Sequence, residues 1–490
     1  MRAAEQTAFA TGVEVEALMD KAGAGVARTV TQFFPHPGLC IVFSGKGHNG
    51  GDALVAASHL KRAGWKIDIR LPFAESDLSE LPRKKLRALR AAESGKGVSA
   101  PSVDRQLAGS QGHTIALDGL LGIGAKPPLR DPIRAACREI NQLRRQRNAY
   151  VFAVDLPTGL DGESGKTDRD CVVADFTVTI GFAKVGLVAD NATNFVGRLE
   201  VVFLGELQPP QGKDQEIVAC ASSLHDLLPR RKYDAYKNQF GRIGVVAGSK
   251  GFIGAALMTS QGALRAGAGL VEVFVPDEIY PIVAAAAPQE SMVKPVTSYR
   301  DLLREKIDIW AVGPGLGKSR AEEILGLIEN AKQPMVVDAD GLNILADKVS
   351  TLKHCKGKRL LTPHPGEMKR LFPGKNEARA KIATKFCNRF PVILLFKGSR
   401  TIVAERGKSR SYNTTGNPGM ASGGMGDVLT GVCAGLVGQG LSLYDAARLG
   451  AWSCGRAAEM AIFGGEQSEQ SLLARDVLDH LGEAFKELSG

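Results

Sequence analysis

Apolar runs of strand length alternate with helix-like segments along the chain, and glycine-rich turns follow several of these runs. In the first half the strand-like runs are 39–44, 66–71, 113–122, 150–157 and 176–181, and the helix-like segments are 52–63 and 132–146. Strands that alternate with helices are typical of doubly wound, mostly parallel sheets. The pattern therefore predicts an α/β fold.

The alternation begins again in the second half, without a sequence repeat between the halves. The second set of strand-like runs is 242–248, 270–276, 307–313, 334–340 and 391–398, with a helix-like segment at 254–267. Between the two sets, the segment 207–216 is polar and contains Pro-Pro and Gly, which is typical of a linker. At roughly 150 residues per domain, 490 residues suffice for two large domains. We expect a Rossmann-like doubly wound domain at 1–212 and a second α/β domain at 222–490.

The composition excludes several classes of protein. Apolar residues make up 44% of the chain, which is too large a share for a disordered protein. The 8 cysteines lie far apart and never form C-x-x-C, as expected for reduced, buried thiols rather than for secretion or a zinc site. No apolar stretch approaches the roughly 18 residues of a membrane span. We expect a cytoplasmic protein with no membrane partner.

The net charge of +10 arises partly from basic clusters at 82–90, 143–147 and 229–232. Such clusters can attract nucleic acids or phosphorylated ligands. Because 52 acidic residues are interspersed and no basic stripe alternates with aromatic residues, we interpret the clusters as solvated surface. The charge balance is compatible with small anionic ligands, and we expect no nucleic-acid partner.

The first glycine-rich motif lies at 44–60, directly after a strand. Gly45–Gly50 matches G-x-G-x-x-G, and Asp68 follows in the next strand at about the separation typical of a dinucleotide site. Asp52, however, places a carboxylate at the helix start, where a pyrophosphate would usually bind. A helix dipole stabilises such a carboxylate, so simple capping by Asp52 is the alternative interpretation.

Two further turns also follow strands. The segment 313–319 nearly fits the phosphate-binding P-loop, but Val312 occupies the position that requires the first glycine, so we reject a Walker A motif. In 360–372, His364 lies between two prolines, which is an unusual place for a histidine without a function.

The densest motif is 413–440, in which Gly423, Gly424 and Gly426 accompany Asp427 at the start of an apolar helix. Free backbone amides there would bind an anion, and a facing carboxylate could deprotonate a hydroxyl that attacks a phosphoryl group. The alternative is a glycine-rich turn in which Asp427 only caps the helix.

Taken together, the ordered motifs resemble those of the bifunctional NAD(P)H-hydrate repair enzymes, in which an epimerase domain is fused to an ADP-dependent dehydratase. The resemblance covers nearly the whole chain and rests on 18–27, 48–57, 118–124, 154–165, 177–187, 239–271, 312–317, 336–345, 361–367, 395–401 and 423–427. It implies that the second domain is ribokinase-like. It also implies metabolite repair: the first domain interconverts the R and S hydrates of NADH or NADPH, and the second dehydrates the S form with ADP, giving NAD(P)H, AMP and phosphate.

The resemblance carries site residues onto the first domain. The epimerase ligand positions are matched by His48, Asn49, Gly50, Gly51, Asp52, Gly122, Ile123, Gly124, Ala125, Lys126, Pro127, Pro128 and Asp155. Asp155 is also the first candidate for acid–base catalysis. Asn49, Asp118 and Thr158 match the family's potassium ligands, with Thr where the family usually has Ser. His48 stands where the family usually has Asn.

The resemblance also implies site residues in the second domain. The hydrate-binding positions are matched by Ala255, Gly315, His364 and Asp427, and the nucleotide positions by Lys397, Gly398, Ser399, Arg400, Thr401 and Gly426. Asp427 would be catalytic, since it would orient or deprotonate the hydrate hydroxyl that attacks the β-phosphoryl group of ADP, which is expected to bind with Mg²⁺. Met425 replaces a small hydroxyl residue, but the backbone amide at this position remains.

The implied partners are the two hydrates and ADP, and ATP stays open as an alternative donor. We also expect a homo-oligomer. A nicotinamide-dependent dehydrogenase remains an alternative, supported only by Gly45–Gly50. A non-catalytic binding module is the other alternative, although Asn49, Asp52, Asp118 and Asp155 are all present. A ribokinase-like sugar kinase is disfavoured by the resemblance at 361–367.

Overall fold

The computed structural model describes residues 1–91, 112–208, 216–228, 230–374 and 377–489. The chain divides into two compact units, Met1–Gly212 and Lys213–Gly490. Each unit contains its own sheet and its own hydrophobic core. The predicted α/β fold with two domains is therefore confirmed.

The first unit is built on a parallel sheet whose described strands have the order β2-β1-β3-β4-β5-β6. The strands are β1 Leu39–Ser44, β2 Lys66–Arg70, β3 Thr114–Gly119, β4 Tyr150–Val154, β5 Phe176–Ile180 and β6 Arg198–Val202. The helices are α1 Arg2–Ala10, α2 Val15–Phe33, α3 His48–Arg62, α4 Glu80–Ala91, α5 Ile133–Arg147 and α6 Thr193–Val196. The strand order reverses at β1 and β3, and ligands of open α/β sheets bind at such a switch point.

The second unit is built on a larger sheet whose described strands have the order β10-β9-β8-β11-β12-β13-β14-β15-β16-β7. The strands are β7 Glu216–Ala219, β8 Arg242–Val246, β9 Leu270–Pro276, β10 Ser291–Val296, β11 Ile309–Val312, β12 Met335–Val337, β13 Arg359–Leu361, β14 Ile393–Phe396, β15 Thr401–Glu405 and β16 Arg410–Asn413. Only β15 runs antiparallel to its two neighbours among these strands.

The helices of the second unit pack on this sheet. They are α7 Ala221–Leu224, α8 Ile253–Arg265, α9 Tyr280–Ala286, α10 Ala321–Asn330, α11 Asp340–Asp347, α12 Pro365–Leu371, α13 Arg379–Arg389, α14 Met425–Gly438, α15 Leu443–Phe463 and α16 Ala474–Ser489. Helices α8 and α14 approach so closely that a Cβ on Gly431 would lie 2.0 Å from the Thr259 oxygen. Glycine is therefore required at Gly431, and the contact fixes the middle parts of the two helices relative to each other.

The strand-like runs singled out in the sequence all form strands, but two boundaries were wrong. Helix α3 begins at His48 rather than at Asp52, because Gly50 has no side chain: a Cβ there would lie 2.2 Å from the Gly45 oxygen. Strand β7 precedes the expected start of the second domain at 222, yet it pairs with β16 and belongs to the second sheet. Of the predicted linker 207–216, residues 209–215 lie outside the described residues.

The basic segment 82–90 lies on α4, and acidic side chains of the same unit neutralise part of its charge. Lys84 and Lys85 each lie 2.8 Å from a Glu16 oxygen, and Lys85 lies 2.6 Å from Asp20. Surface ion pairs of this kind contribute little to stability. We therefore continue to interpret this segment as ordinary solvated surface.

Candidate active sites

The expected cation ligands of the first unit lie together at the carboxyl ends of β1, β3 and β4. Thr158 donates its backbone N–H and its hydroxyl to the two Asp118 oxygens, at 2.8 and 2.7 Å. The Thr158 hydroxyl also accepts the Leu121 N–H at 3.2 Å, and the Leu121 oxygen accepts the Asn49 amide at 2.9 Å. A continuous chain of hydrogen bonds thus joins Asn49, Thr158 and Asp118.

Two buried groups in this series of hydrogen bonds lack a partner in the part of the chain that the structure describes: one has no hydrogen-bond donor, and the other has no ion pair. The Asn49 Oδ1 atom is buried and has no hydrogen-bond partner among the described residues. Asp118 is fully buried, which raises the pKa of its carboxyl to about 6, and no ion pair to it is found in the described part of the chain. Buried oxygen ligands with one uncompensated carboxylate are suited to a hard cation.

Asp155 lies at the carboxyl end of β4 in a left-handed backbone conformation, with φ of 68°. Such a conformation is costly for a non-glycine residue and is most often found at functional sites. Its Oδ1 atom accepts hydrogen bonds from the Ile180 N–H at 3.2 Å and the Thr179 hydroxyl at 3.3 Å. The same oxygen forms an ion pair with Lys184, a buried lysine that sequence reasoning did not identify.

Asp52 does not cap α3, because the helix begins at His48 and Asp52 lies beyond its first turn. Asp52 instead lines a cleft with His48, Glu5 and apolar side chains that include Ile180. Burial raises the pKa of Asp52 well above its ordinary value, the charges of Asp155 and Glu5 raise it further, and Lys184 opposes them.

The expected ligand loop 122–128 begins beside Asn49, since a Cβ on Gly122 would lie 3.4 Å from the Asn49 Cβ. Further along the loop, Lys126 is exposed and pairs with the exposed Glu163 at 3.2 Å. The structure therefore brings the start of the loop to the site and directs the Lys126 side chain to the surface.

The dinucleotide interpretation of Gly45–Gly50 gains no support from the structure. A Cβ on Gly45 would lie 1.9 Å from the Leu120 oxygen, so close packing accounts for this glycine. Asp68, expected to bind a ribose, instead accepts hydrogen bonds from Arg70 at 3.2 Å.

In the second unit, the candidate site lies where β11, β12, β13 and β14 end. Asp338 follows β12 and is 1% exposed. Its Oδ1 accepts from Lys397 Nζ at 2.7 Å, and its Oδ2 accepts from the Thr430 hydroxyl at 2.9 Å. Sequence reasoning identified Lys397 but missed Asp338 and Thr430. Gly426 lies over this pair, since a Cβ there would be 3.2 Å from Asp338 Oδ2 and 3.3 Å from Lys397 Nζ.

Asp427 occupies the first turn of α14, directly after Gly426. Burial raises the pKa of Asp427 to about 7, the charge of Asp338 also raises it, and Lys397 lowers it. A carboxylate with this pKa accepts a proton readily near neutral pH, as a general base requires. Gly424 is the N-cap of the helix and has no side chain, so capping is done without Asp427.

His364 has a structural role through one ring nitrogen. It is the N-cap of α12, and its Nδ1 accepts the N–H groups of Gly366 and Glu367 at 3.0 and 3.4 Å. Because Nδ1 is the acceptor, the network assigns the proton to Nε2. The ring is about half exposed, and its Nε2 lies 3.5 Å from Glu367 Oε1.

The other expected hydrate positions also lie together. A Cβ on Gly315 would be 2.9 Å from the Ala255 Cβ, and the Gly315 oxygen accepts the Ser249 hydroxyl at 2.7 Å. These contacts join the turn after β11 to the start of α8, across the position where the strand order of the second sheet reverses. This again is where open α/β sheets bind ligands.

The expected nucleotide turn 397–401 is closed by Thr401, whose hydroxyl donates to the Gly398 oxygen at 2.9 Å. Arg379, which sequence reasoning missed, donates to the oxygens of Phe396 and Lys397 at 2.9 and 3.0 Å. Ser399 is exposed on this turn, whereas Arg400 is only 3% exposed and its side chain lies inside the unit.

Comparisons with known proteins find two matching family models. A family model described as NAD(P)H-hydrate dehydratase matches residues 243–479, and one described as YjeF-related protein N-terminus matches residues 15–186. The chain is similar to the bifunctional NAD(P)H-hydrate repair enzyme Nnr of Moorella thermoacetica, with 34% identity over 96% of this chain and 92% of the relative. It is equally similar to the Escherichia coli protein of that name, with 34% identity over 98% of this chain and 91% of the relative.

A solved structure also resembles part of the chain. It is the ADP/ATP-dependent NAD(P)H-hydrate dehydratase of Bacillus subtilis, co-crystallised with ATP and Mg²⁺, with 26% identity and a TM-score of 0.49. The match covers 56% of this chain and 98% of that one. Within the described ranges, no helix has the length and apolar character needed to cross a membrane.

Proposed function

Because this chain belongs to the family of bifunctional NAD(P)H-hydrate repair enzymes, we propose that it restores hydrated NADH and NADPH. The first unit epimerises the R and S hydrates, and the second dehydrates the S hydrate at the expense of ADP. The observation that carries this proposal is Asp427, a half-buried carboxylate with a pKa of about 7 at the glycine-rich start of α14, beside the buried Asp338–Lys397 pair.

In the dehydration, Asp427 accepts the proton of the hydrate hydroxyl. The hydroxyl oxygen then forms a bond to the β-phosphorus of ADP, and the bond from that phosphorus to the bridging oxygen breaks, releasing AMP. The ring nitrogen lone pair expels phosphate, and loss of a proton from the neighbouring ring carbon restores the dihydronicotinamide. The free amides at the start of α14 and the Lys397 ammonium stabilise the charge that develops on the phosphoryl oxygens.

The nucleotide is expected to bring Mg²⁺, which neutralises phosphate charge when bound. No group of three His, Cys, Asp or Glu side chains in the described part of the chain could hold a metal by itself. This fits Mg²⁺ that is held mainly through phosphate oxygens and water. Lys397 and the turn to Thr401 would orient the nucleotide, and either ADP or ATP is compatible with that turn.

In the epimerisation, we assign opposite protonation states to two carboxyl groups. Asp52 is held protonated and donates its proton to the leaving hydroxyl, while the ring nitrogen lone pair stabilises the cation that forms. Water then adds to the other face and returns a proton to Asp52, so the reaction consumes no proton. Asp155, ionised and paired with Lys184, stabilises the cation and orients the water.

We further propose that Asn49, Asp118 and Thr158 hold a potassium ion at the epimerase site. The unpartnered Asn49 Oδ1 and the unpaired, buried Asp118 support this, because both would gain a partner. A bound potassium ion would offset the Asp118 charge and attract the phosphates of the hydrate.

A cytoplasmic location is also part of the proposal. It is supported by the cysteines, all of which are free and most of which are buried. Protein exposed to an oxidising compartment more often carries disulfides. The expected homo-oligomer stays a prediction.

The test uses a mixture of R and S hydrates with ADP and follows the absorbance of restored dihydronicotinamide. The wild-type chain should restore the whole mixture, whereas Asp155→Asn should rapidly restore only the S fraction. Asp427→Asn should restore neither epimer. The control is Asp347→Asn, since the Asp347 side chain is 72% exposed and forms only a surface ion pair with Lys318 at 3.3 Å among the ion pairs found in the described residues. Rapid recovery of both epimers by Asp155→Asn would contradict the assignment.

A further inference from the structure

The buried carboxylate of Asp338 contacts two elements of the second site, and each of these elements carries a charged side chain of the site. Asp338 Oδ1 accepts from Lys397 of the nucleotide turn at 2.7 Å, and Asp338 Oδ2 accepts from the Thr430 hydroxyl at 2.9 Å. Thr430 lies one helical turn after Asp427 on α14. Asp338 therefore contacts both the ammonium that would meet the phosphates and the helix that carries the base.

No side chain separates this carboxylate from the backbone that precedes Asp427. The gap at Gly426 would be filled by a single Cβ, which would lie 3.2 Å from Asp338 Oδ2. The charged groups facing Asp427 are Asp338 from the end of β12 and Lys397 from the end of β14. Glu367 of α12 faces Lys397 as well.

We propose that Asp338 is a positioning residue of the dehydration reaction, which holds Lys397 at the nucleotide turn and holds α14 through Thr430. This inference rests on the function proposed for the second site. Asp338 exchanges no proton and no group with the substrate. Its negative charge also opposes ionisation of Asp427, so that Asp427 remains basic near neutral pH.

The test is the pH profile of kcat for full-length Asp338→Asn with the S hydrate, ADP and Mg²⁺. Removing the like charge should move the acid limb of the profile to lower pH by about one pH unit. Because Lys397 loses its partner, kcat on the plateau should fall about 10–100-fold. A merely structural role would lower kcat without moving the limb.

Two further variants separate charge from shape. Thr430→Val removes the hydroxyl but no charge, so the limb should stay at its wild-type position while kcat falls. Asp338→Glu keeps the charge, so the limb should also stay near its wild-type position. Asp347→Asn, on the exposed surface, should leave the whole profile unchanged.

An unmoved acid limb in folded Asp338→Asn would overturn the proposal. A weakened response to Mg²⁺ with an unmoved limb would also overturn it, since it would assign the carboxylate to the metal. If thermal melting shows that Asp338→Asn is unfolded, Lys397→Gln tests the same pair: the limb must then move to higher pH, and an unmoved limb overturns the proposal. A wild-type chain that restores no cofactor would instead overturn the proposed function.

Discussion

Replacing Asp427 with Asn should abolish dehydration and at the same time stabilise the second unit. The catalytic loss follows from its role as base, since a positioned base contributes on the order of 10²–10⁴-fold to the rate. The gain in stability follows from its environment, because burial raises the pKa of Asp427 from 3.8 to about 7. Most substitutions destabilise a protein, so a stabilising one at this position is a distinctive expectation.

The magnitude follows from the change in pKa between the unfolded and folded chain. Between these two pKa values the folded protein binds more protons than the unfolded chain, so its stability falls as the pH rises. At about 1.36 kcal/mol per pKa unit, the cost of ionising Asp427 in the folded protein is at most about 4 kcal/mol above neutral pH. Because the side chain is partly exposed and water screens its charge, we expect about 2 kcal/mol.

The assay compares the melting temperatures of Asp427→Asn and the wild-type chain across the pH range. The transition of the second unit is identified as the one that ADP raises. The variant should melt about 4–8 °C higher at about pH 8, and the difference should vanish near pH 4. A difference that is constant with pH, or a variant that keeps more than about a tenth of wild-type dehydration, would refute the reasoning.

Three other predictions follow from the same structure. Lys184→Met should slow epimerisation about 10²–10⁴-fold, because Asp155 loses its ion-pair partner, while ADP-dependent recovery of the S hydrate continues. An equal loss of both activities would contradict a role of Lys184 in supporting Asp155. Asp118→Ala should remove the response of the epimerisation rate to potassium over sodium, because Asp118 is the only carboxylate among the expected cation ligands, and an unchanged ratio of rates in the variant would argue against the cation site. Gly431→Ala should lower the stability of the second unit by about 1–3 kcal/mol in thermal melting, because the added Cβ would lie 2.0 Å from a backbone oxygen. Gly326→Ala is its control, since a Cβ there meets nothing within 4 Å, and an equal loss in both variants would exclude the proposed cause.

The positions of most strands along the chain and the glycine-rich turns could be predicted because both depend on short stretches of sequence. Runs such as 39–44 and 270–276 became β1 and β9, since buried parallel strands consist of almost continuous apolar residues. Strands β7 and β16 could not be predicted in the same way. They pair with each other although nearly two hundred residues separate them, and neither is a continuous apolar run.

Family resemblance supplied the residue types of both sites, and the structure decided how those residues interact. His364 illustrates the difference: its Pro-His-Pro context suggested a function, and the structure shows that one ring nitrogen caps α12. Asp52 shows the opposite outcome, because its position near a helix start suggested capping, and the structure places it in a cleft beyond the first turn.

The sequence by itself determined the α/β class, the division into two domains and the presence of Asp155 and Asp427 at the ends of strand–turn segments. Only the tertiary structure decided which charges face them. Lys184 meets Asp155 across 29 residues, and Lys397 meets Asp338 across 59 residues. These contacts arise because parallel strands bring their carboxyl ends to one edge of a sheet, whatever their separation along the chain. Since a pKa depends on burial and on neighbouring charges, the protonation states of Asp52 and Asp427 are properties of the folded sheets.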